Sequence, residues 1–249
     1  MRRDRYEVVA AVPAAAKRPI IGYLAPCRRR KGRETNVSDP QRPPKGASVP
    51  PPQENLQLAA QRAFEMLGSQ SHQQLRWLGA QRSAGAWRLP VLGDVLDVDL
   101  SARRIVAPSG DQVGLRWSIL VLHYLAVTAR PEQMGPSVTF ADLGTARSYA
   151  GVYAARVNER LCHTAGRRLE RLTAGADALA ARAADGGDAA FDFQPFPRVQ
   201  LRLIWRAGDD EFPATATLLL PQNIESYFCC EDIVVLSENL VARLDGRPF

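Results

Sequence analysis

The sequence contains very little lysine, very little cysteine and no long apolar run. Three lysines stand against 29 arginines, and all three lie within the first 45 residues. Only four cysteines occur in 249 residues, and two of them are adjacent, which argues against a disulfide framework. We therefore expect reduced thiols and a cytoplasmic location. No apolar run approaches the roughly 20 residues that a membrane span requires, so we expect a soluble protein without a membrane partner.

Positive charge is also missing from most of the chain. Residues 1–54 carry 12 Lys and Arg against 5 Asp and Glu, whereas residues 55–249 carry 20 against 21. The net positive charge therefore belongs to the N-terminal segment. A folded body without net positive charge is a poor candidate for nucleic-acid binding, and the excess of arginine fits a GC-rich coding bias.

Motifs of the well-known enzyme classes are absent from the sequence. There is no nucleophile–base triad, no P-loop, no dinucleotide fingerprint and no His-x-x-x-His pair. These absences leave the cofactor, the metal and the reaction unassigned.

Two regions with different composition divide the chain. Residues 1–53 are basic and rich in proline, and they cannot bury enough apolar surface to offset the entropy of ordering, so we predict a disordered leader. Helical and strand patterns begin at residue 54, and we predict that residues 54–249 form a single domain.

The patterns of residues 54–249 predict an α+β fold with two antiparallel strand regions. An amphipathic helix opens the domain, and a central buried helix is predicted over Gly114–Thr128, where apolar residues occur on all sides. The other predicted elements are strands at 87–100 and 103–107, helices at 148–161 and 165–184, strands at 191–205 and 212–220, and a C-terminal helix that begins at Glu231 and Asp232.

Acidic residues stand at both joints of the apolar segment that ends the domain. Glu211 follows a turn, and Glu231 and Asp232 open the last helix. If the fold brings them together, they form a carboxylate cluster that could bind a hard cation or take a proton. The alternative is a solvated turn and a first helical turn that complements the helix dipole. We expect the Glu211 side chain to point at the last helix and to accept hydrogen bonds from the amides of Asp232 and Ile233.

His123 and Arg156 complete the set of candidate polar site residues. His123 lies among apolar neighbours within the central helix, where it is either a hydrogen-bonded core histidine or a ligand or base. Arg156 and Arg160 lie four residues apart on one helical face, where they could clamp an anion. Pairing with Glu159, Glu170 or a surface carboxylate is the alternative for these two arginines.

Three short motifs together carry a resemblance to a known family. They are Leu122-His123-Tyr124-Leu125 in the buried helix, Asp210-Glu211-Phe212-Pro213-Ala214 in the hairpin, and Glu231-Asp232 at the last helix. The chain resembles, over about residues 54–245, the bacterial and archaeal family catalogued as domain of unknown function 3786. The resemblance implies no particular chemistry. Some relatives look fused to a cysteine-rich iron–sulfur module of the kind found near corrinoid and one-carbon enzymes. This chain lacks Cys-x-x-Cys, so it cannot hold such a cluster by itself.

Three functional hypotheses follow from these observations. The first is a soluble binding or accessory domain, with a protein partner or small ligand, that serves a metallocofactor (corrinoid or iron–sulfur) enzyme of one-carbon metabolism. The second is a metal-dependent enzyme that uses a carboxylate cluster of Glu211, Glu231 and Asp232. The third is nucleic-acid binding through the basic leader. The sequence leaves the ligand, the reaction and the oligomeric state open.

Overall fold

The computed structural model describes residues 53–131, 135–144 and 146–249. The basic leader lies outside the described residues, so the predicted boundary near residue 53 stays a prediction. Within the described residues, helices and two antiparallel sheets surround one continuous hydrophobic core. The predicted α+β class is therefore confirmed.

The helices of the described residues lie before, between and after the two sheets. They are α1 (Gln53–Leu67), α2 (His72–Trp77), α3 (Leu115–Leu125), α4 (Ala150–Tyr153), α5 (Arg160–His163), α6 (Leu169–Ala178) and α7 (Cys230–Leu244). A π-helical segment, Ala154–Glu159, joins α4 to α5 without a break. Helical segments with this wider hydrogen-bond spacing are frequently found at functional sites.

The first sheet is a four-stranded meander in the order β1-β2-β3-β4. Its strands are β1 (Gln81–Ser83), β2 (Ala86–Val91), β3 (Asp94–Asp99) and β4 (Arg104–Val106). Leu92 and Gly93 connect β2 to β3, and their φ angles are 49° and 82°. Two consecutive residues with positive φ make the tight turn that matches the twist of paired strands. Two residues are therefore enough to connect β2 to β3.

The second sheet has five strands in the order β5-β9-β8-β7-β6. Its strands are β5 (Ser137–Val138), β6 (Arg182–Ala184), β7 (Ala189–Phe196), β8 (Val199–Arg206) and β9 (Thr215–Pro221). Alternate residues of β8, among them Leu201, Leu203 and Trp205, are buried, so one face of this strand covers the core. The two sheets meet where the amide of Leu92 donates to the carbonyl of Gln194 at 3.2 Å.

Helix α3 is the predicted central buried helix. Eight of its residues are buried, and Tyr124 stacks on Phe196 with ring centroids 4.5 Å apart. The Tyr124 hydroxyl donates to the carbonyl of Leu78 at 2.7 Å and accepts from the amide of Arg198 at 3.1 Å. Burial of this hydroxyl raises the pKa of Tyr124 well above its usual range, so the phenol stays neutral and ties three segments together.

The predicted helix over residues 165–184 is wrong after residue 178. Helix α6 ends at Ala178, Ala180 has a φ of 52°, and Arg182–Ala184 forms the edge strand β6 beside β7. Alanine-rich sequence favours a helix by only tenths of a kcal/mol per residue, about 0.7 at most over ordinary residues. Pairing with β7 outweighs so weak a preference.

Gly175 provides a test of the packing of α6 on α7. A Cβ at this position would lie 2.4 Å from the carbonyl oxygen of Leu244, whereas a Cβ at Gly151 in α4 would meet nothing within 4 Å. We expect Gly175→Ala to lower the free energy of unfolding by about 1–3 kcal/mol through overpacking. The control Gly151→Ala should raise it by about 0.5–1 kcal/mol through helix propensity. Urea unfolding of both variants measures the difference, and equal effects would contradict the described packing.

Candidate functional site

Helix α7 carries polar residues where most of its surface is buried. It packs against α3, α6 and the π-helical segment, and ten of its residues are buried. Four of the ten are polar, namely Asp232, Ser237, Glu238 and Asn239, and each is less than a tenth exposed. Buried polar groups are costly unless they are paired, so the partners of these four residues define the site.

The carboxylate of Glu238 is held by two arginines from different elements. Arg156, in the π-helical segment, donates from Nε to Oε1 at 2.5 Å and from Nη2 to Oε2 at 2.9 Å. Arg116, in the first turn of α3, donates from Nη2 to Oε2 at 2.8 Å. Such two-pronged, charge-assisted pairing is among the stronger polar interactions in proteins. The pKa of Arg156 rises because of its hydrogen bonds with Glu238, so this guanidinium stays charged.

Arg156 is therefore bound to side chains inside the protein, whereas Arg160 faces a cleft. Arg156 also donates to the hydroxyl of Tyr149 at 3.0 Å. Its carboxylate partner is Glu238, and neither Glu159 nor Glu170, which the sequence offered as partners, pairs with it. Arg160 lines a cleft and has no ion pair among the described residues. A clamp made by both arginines is thus unavailable, although Arg160 remains open to a ligand.

Glu231 lies at the edge of this network. Its Oε1 is 3.7 Å from Nη1 of Arg156, and its side chain is about a third exposed. Burial raises the pKa of Glu231, the charge of Glu238 adds to that rise, and Arg156 opposes it. Glu231 therefore carries its negative charge less readily than a solvated glutamate does.

His123 and Asp232 form a second buried pair, between α3 and the first turn of α7. Nδ1 of His123 is 2.9 Å from Oδ2 of Asp232, and both side chains are about nine-tenths buried. Because an ionised carboxylate only accepts hydrogen bonds, Nδ1 carries the proton in this pair. The sequence singled out both residues, and the structure brings them together as a pair that ties α3 to α7.

Cys229 caps α7 beside this pair. Its sulfur accepts from the amide of Asp232 at 3.5 Å, and its carbonyl accepts from the amide of Ile233 at 3.0 Å. Although the residue is partly open to solvent, the surroundings of the sulfur raise the pKa of Cys229 to about 12, through burial and then the charge of Asp232. A thiol in this state is protonated at neutral pH and is a poor nucleophile.

The expectation for Glu211 is wrong. The amides of Asp232 and Ile233, which Glu211 was expected to cap, are bound by Cys229. Glu211 is exposed in the loop between β8 and β9, where its amide and that of Phe212 donate to Oδ1 of Asp209 at 2.9 and 2.7 Å. These hydrogen bonds lower the pKa of Asp209 and close the loop on itself, so the loop needs no contact with α7.

The predicted carboxylate cluster consequently does not form. Within the described residues, no group of three or more His, Cys, Asp or Glu side chains is arranged to hold a metal ion. Glu231 and Asp232 face different partners, namely Arg156 and His123. The hypothesis of a metal-dependent enzyme at Glu211, Glu231 and Asp232 therefore has no ligand set in the described part of the chain.

An open cleft of about 630 Å³ lies beside the ion network. The cleft is surrounded by α1, the first turn of α3, the start of α5, helix α7 and the last three residues of the chain. Its lining residues are Leu56, Gly114, Leu115, Arg116, Trp117, Arg160, Glu238, Asn239, Ala242, Arg247, Pro248 and Phe249. Arg116 and Glu238 belong both to the cleft and to the network, so the network forms one wall of the cleft.

This α+β domain, with its buried ion network and neighbouring cleft, has a family assignment. Residues 73–243, more than half of the chain, match the family model described as Domain of unknown function (DUF3786). The chain belongs to this family, in agreement with the resemblance of its motifs. No curated protein and no solved structure matches the chain. Among the helices of the described residues, none has the length and apolar character needed to cross a membrane.

Sequence reasoning missed Glu238, Arg116 and the cleft. Two signals could have found the pair. Ser237-Glu238-Asn239 is a polar triplet that interrupts the apolar run from Ile233 to Ala242, and Arg116 is the one charged residue in the run from Leu115 to Leu122. A charged residue in a helix that is buried on all sides requires a partner, which the sequence does not identify.

The Glu238 network predicts an unusual order of stabilities. We expect Glu238→Gln to lower the free energy of unfolding by about 3 kcal/mol, because it leaves two arginines without their counter-charge in a largely buried site. The double variant Arg156→Met/Glu238→Leu should lose less, since it removes the buried charges together. Urea unfolding followed by circular dichroism measures both.

A matched carboxylate-to-amide control is available on the surface. Asp97→Asn removes an exposed ion pair with Arg88, 3.6 Å long, and should cost less than about 1 kcal/mol. If Glu238→Gln costs no more than this control, the network does not stabilise the fold as described.

Glu231 predicts a pH dependence of defined sign. Because its pKa in the folded protein is raised, its contribution to stability is present below the unfolded-state pKa and is lost as pH rises through the folded-state value. Wild type should therefore lose stability relative to Glu231→Gln between about pH 4 and pH 7. Thermal melts of both proteins across this range test the sign. A stability of wild type relative to Glu231→Gln that stays constant, or that increases as pH rises, would contradict it.

Proposed function

We propose that this chain is a binding domain that holds a small ligand in the cleft and has no catalytic chemistry of its own. The two buried carboxylates of α7 support this view, because each is engaged by a side chain from another element. Glu238 is bound by two arginines, and Asp232 is bound by His123. Carboxylates held in this way fix the packing of the elements around the cleft, whereas a general acid or base must reach the reacting atom of a substrate.

The cleft is the observation that carries the proposal. Its volume of about 630 Å³ falls within the range of roughly 300–1,000 Å³ that is usual for small-ligand sites. Apolar side chains such as Leu56, Trp117 and Ala242 line it together with a few polar groups, which is the usual composition of such sites. Of the polar residues that the sequence singled out, we propose that Arg156, Glu231, Asp232 and His123 support the cleft wall, and that Glu211 is not part of the site.

We further propose that the domain serves a partner, a metallocofactor enzyme of one-carbon metabolism that carries a corrinoid or an iron–sulfur cluster, in the cytoplasm. The family resemblance is the support for this partner. Cys162, Cys229 and Cys230 form no disulfide, and burial raises the pKa of each thiol. Because metal binding requires thiolates, these cysteines are unfavourable ligands, and the proposal places the metal on the partner.

Nucleic-acid binding is not part of this proposal. The hypothesis rests on the basic leader, which lies outside the described residues. The body that follows it has slightly more acidic than basic side chains, 21 against 20, and so provides no general attraction for a polyanion.

The proposal is tested by filling the cleft. Ala242 lies half-buried on α7 and lines the cleft, so Ala242→Trp places a large ring inside it. The full-length protein is incubated with a metabolite extract, washed, and denatured, and the released small molecules are identified by mass spectrometry. We expect wild type to retain a molecule that the filled variant does not retain.

The control for this experiment is Ala174→Trp, at an exposed position of α6 away from the cleft. It adds the same ring and should leave ligand retention unchanged. Melting temperatures of both variants identify any loss that is due to unfolding. Retention of no molecule by wild type, or the same retention by the filled variant, would overturn the proposal.

A further inference from the structure

We infer that copies of this chain associate head to tail, with an acidic loop of one copy docked on an arginine surface of the next. The acidic loop is residues 207–214, between β8 and β9. The arginine surface consists of Trp77, Arg130, Pro197 and Arg198. None of these residues lines the cleft, so the inference goes beyond the proposed function and does not rest on it.

Two guanidinium groups lie against one tryptophan ring at the arginine surface. The guanidinium carbon of Arg198 is 4.5 Å, and that of Arg130 is 5.8 Å, from the ring centroid of Trp77. Nε of Arg198 donates to the carbonyl of Trp77 at 2.9 Å. Nε of Arg130 donates to Oε1 of the buried Gln74 at 2.7 Å. These contacts hold both arginines in place before a partner arrives, which lowers the entropic cost of binding one.

The positive charge of Arg130 and Arg198 is not neutralised by their surroundings. Both residues are exposed, and neither has an ion pair among the described residues. Since their Nε atoms make the contacts to the fold, the Nη groups are left as donors for a carboxylate. Two like charges beside one ring repel each other, and a carboxylate near both removes that repulsion. The surface therefore fits a partner that presents carboxylates.

A carboxylate partner fits the arginine surface better than a nucleic acid does. Single-stranded nucleic acids bind proteins largely by stacking their bases on exposed aromatic rings. The ring of Trp77 is contacted by two guanidinium groups and is only partly exposed, so little of it is left for a base. Residues 55–249 also lack the net positive charge that attracts a polyanion.

The acidic loop presents the complementary chemistry. Oδ1 of Asp209 closes the loop by accepting from the amides of Glu211 and Phe212 at 2.9 and 2.7 Å. Asp210 and Glu211 are exposed, and neither has an ion pair in the described part of the chain. Phe212 is 66% exposed, more than any other large apolar side chain that the structure describes. The loop thus holds two carboxylates beside an uncovered aromatic ring.

Trp77 and Pro197 supply the apolar part of the arginine surface. Both are partly exposed. The turn between β7 and β8 packs against the end of α2, where a Cβ on Gly79 would lie 2.5 Å from Cβ of Pro197. Phe212 of another copy can cover these two side chains while its neighbouring carboxylates reach the arginines. Aromatic residues and arginine are the residue types enriched where protein interfaces are most stable.

The two surfaces lie at opposite ends of β8, so they cannot meet within one copy. Arg198 stands immediately before β8, and the acidic loop begins immediately after it. The eight residues of the strand separate the two surfaces by about 26 Å at the usual rise of a strand. Contact therefore requires a second copy. Because the two surfaces differ, the arrangement is head to tail, and further copies can add at either end.

Two variants of the full-length protein test the inference by complementation. The arginine variant, Arg130→Gln/Arg198→Gln, loses the arginine surface and keeps the acidic loop. The loop variant, Asp210→Asn/Glu211→Gln/Phe212→Ser, does the reverse. In sedimentation velocity up to millimolar concentration, we expect wild type to form dimers and larger species. Each variant alone should be monomeric, whereas an equimolar mixture of the two should form dimers and nothing larger.

A matched control and a salt titration accompany the mixture. Arg62→Gln/Arg104→Gln removes two exposed arginines, on α1 and β4, that also lack an ion pair among the described residues, and it should associate as wild type does. Both test variants keep Asp209, which closes the loop, and melting temperatures verify that they are folded. Added salt should dissociate wild type, because it screens charges that are open to solvent. This titration tests the contact without a substitution.

Three results would overturn the inference. The first is a wild type that stays monomeric, and the second is association that survives loss of the arginines or of the loop. The third is a mixture of the two variants that stays monomeric while wild type associates, since the two surfaces then do not bind each other. A single-stranded oligonucleotide is the probe for the other partner. If it binds a monomeric wild type and not the arginine variant, the arginine surface belongs to nucleic acid.

Discussion

A buried carboxylate fixes how three helical elements of this fold pack together. Glu238 is 6% exposed, and an ionised carboxylate in such a place is tolerated only with close partners of opposite charge. Those partners come from α3 and from the π-helical segment, because Arg116 and Arg156 both reach it. The requirement to neutralise one side chain therefore fixes three elements relative to one another. Arg116 and Glu238 also line the cleft, so the same pairing fixes one wall of the cleft.

The sequence predicted the elements of the fold far better than it predicted this network. Helix α3, helix α7 and the hairpins all follow from local patterns, namely all-round apolarity, a helical stripe, and alternation around turn residues. No local sequence pattern indicates the contacts of Glu238, because Arg156 is 82 residues away and Arg116 is 122 residues away in the chain. One sequence shows which buried charges need partners, but the identity of the partners depends on how the elements pack.

The outcome at the start of α7 shows the same limit. His123 and Asp232 were both recognised as polar residues in apolar surroundings, and they are 109 residues apart in the chain yet 2.9 Å apart in space. Glu211 was placed with Asp232 because the two residues stand at opposite ends of the same apolar segment of the chain. Proximity in the chain was a poor guide there, because Asp209 satisfies the amides of the loop locally and Cys229 satisfies those of the helix. Short-range hydrogen bonds form at little entropic cost, so they prevail over a longer-range contact of the same kind.

The ion network also explains how a carboxylate can lie in the wall of the cleft. A solvated glutamate would repel an anionic ligand, whereas Glu238 accepts hydrogen bonds from two guanidinium groups and contributes no free negative charge. Arg156 therefore serves the interior of the fold, whereas Arg160 lines the cleft and has no ion pair among the described residues. Because Glu238 and Asp232 both pair with side chains from other elements, the packing of α7 accounts for their burial, and we propose that they support the cleft wall and do not react with a ligand.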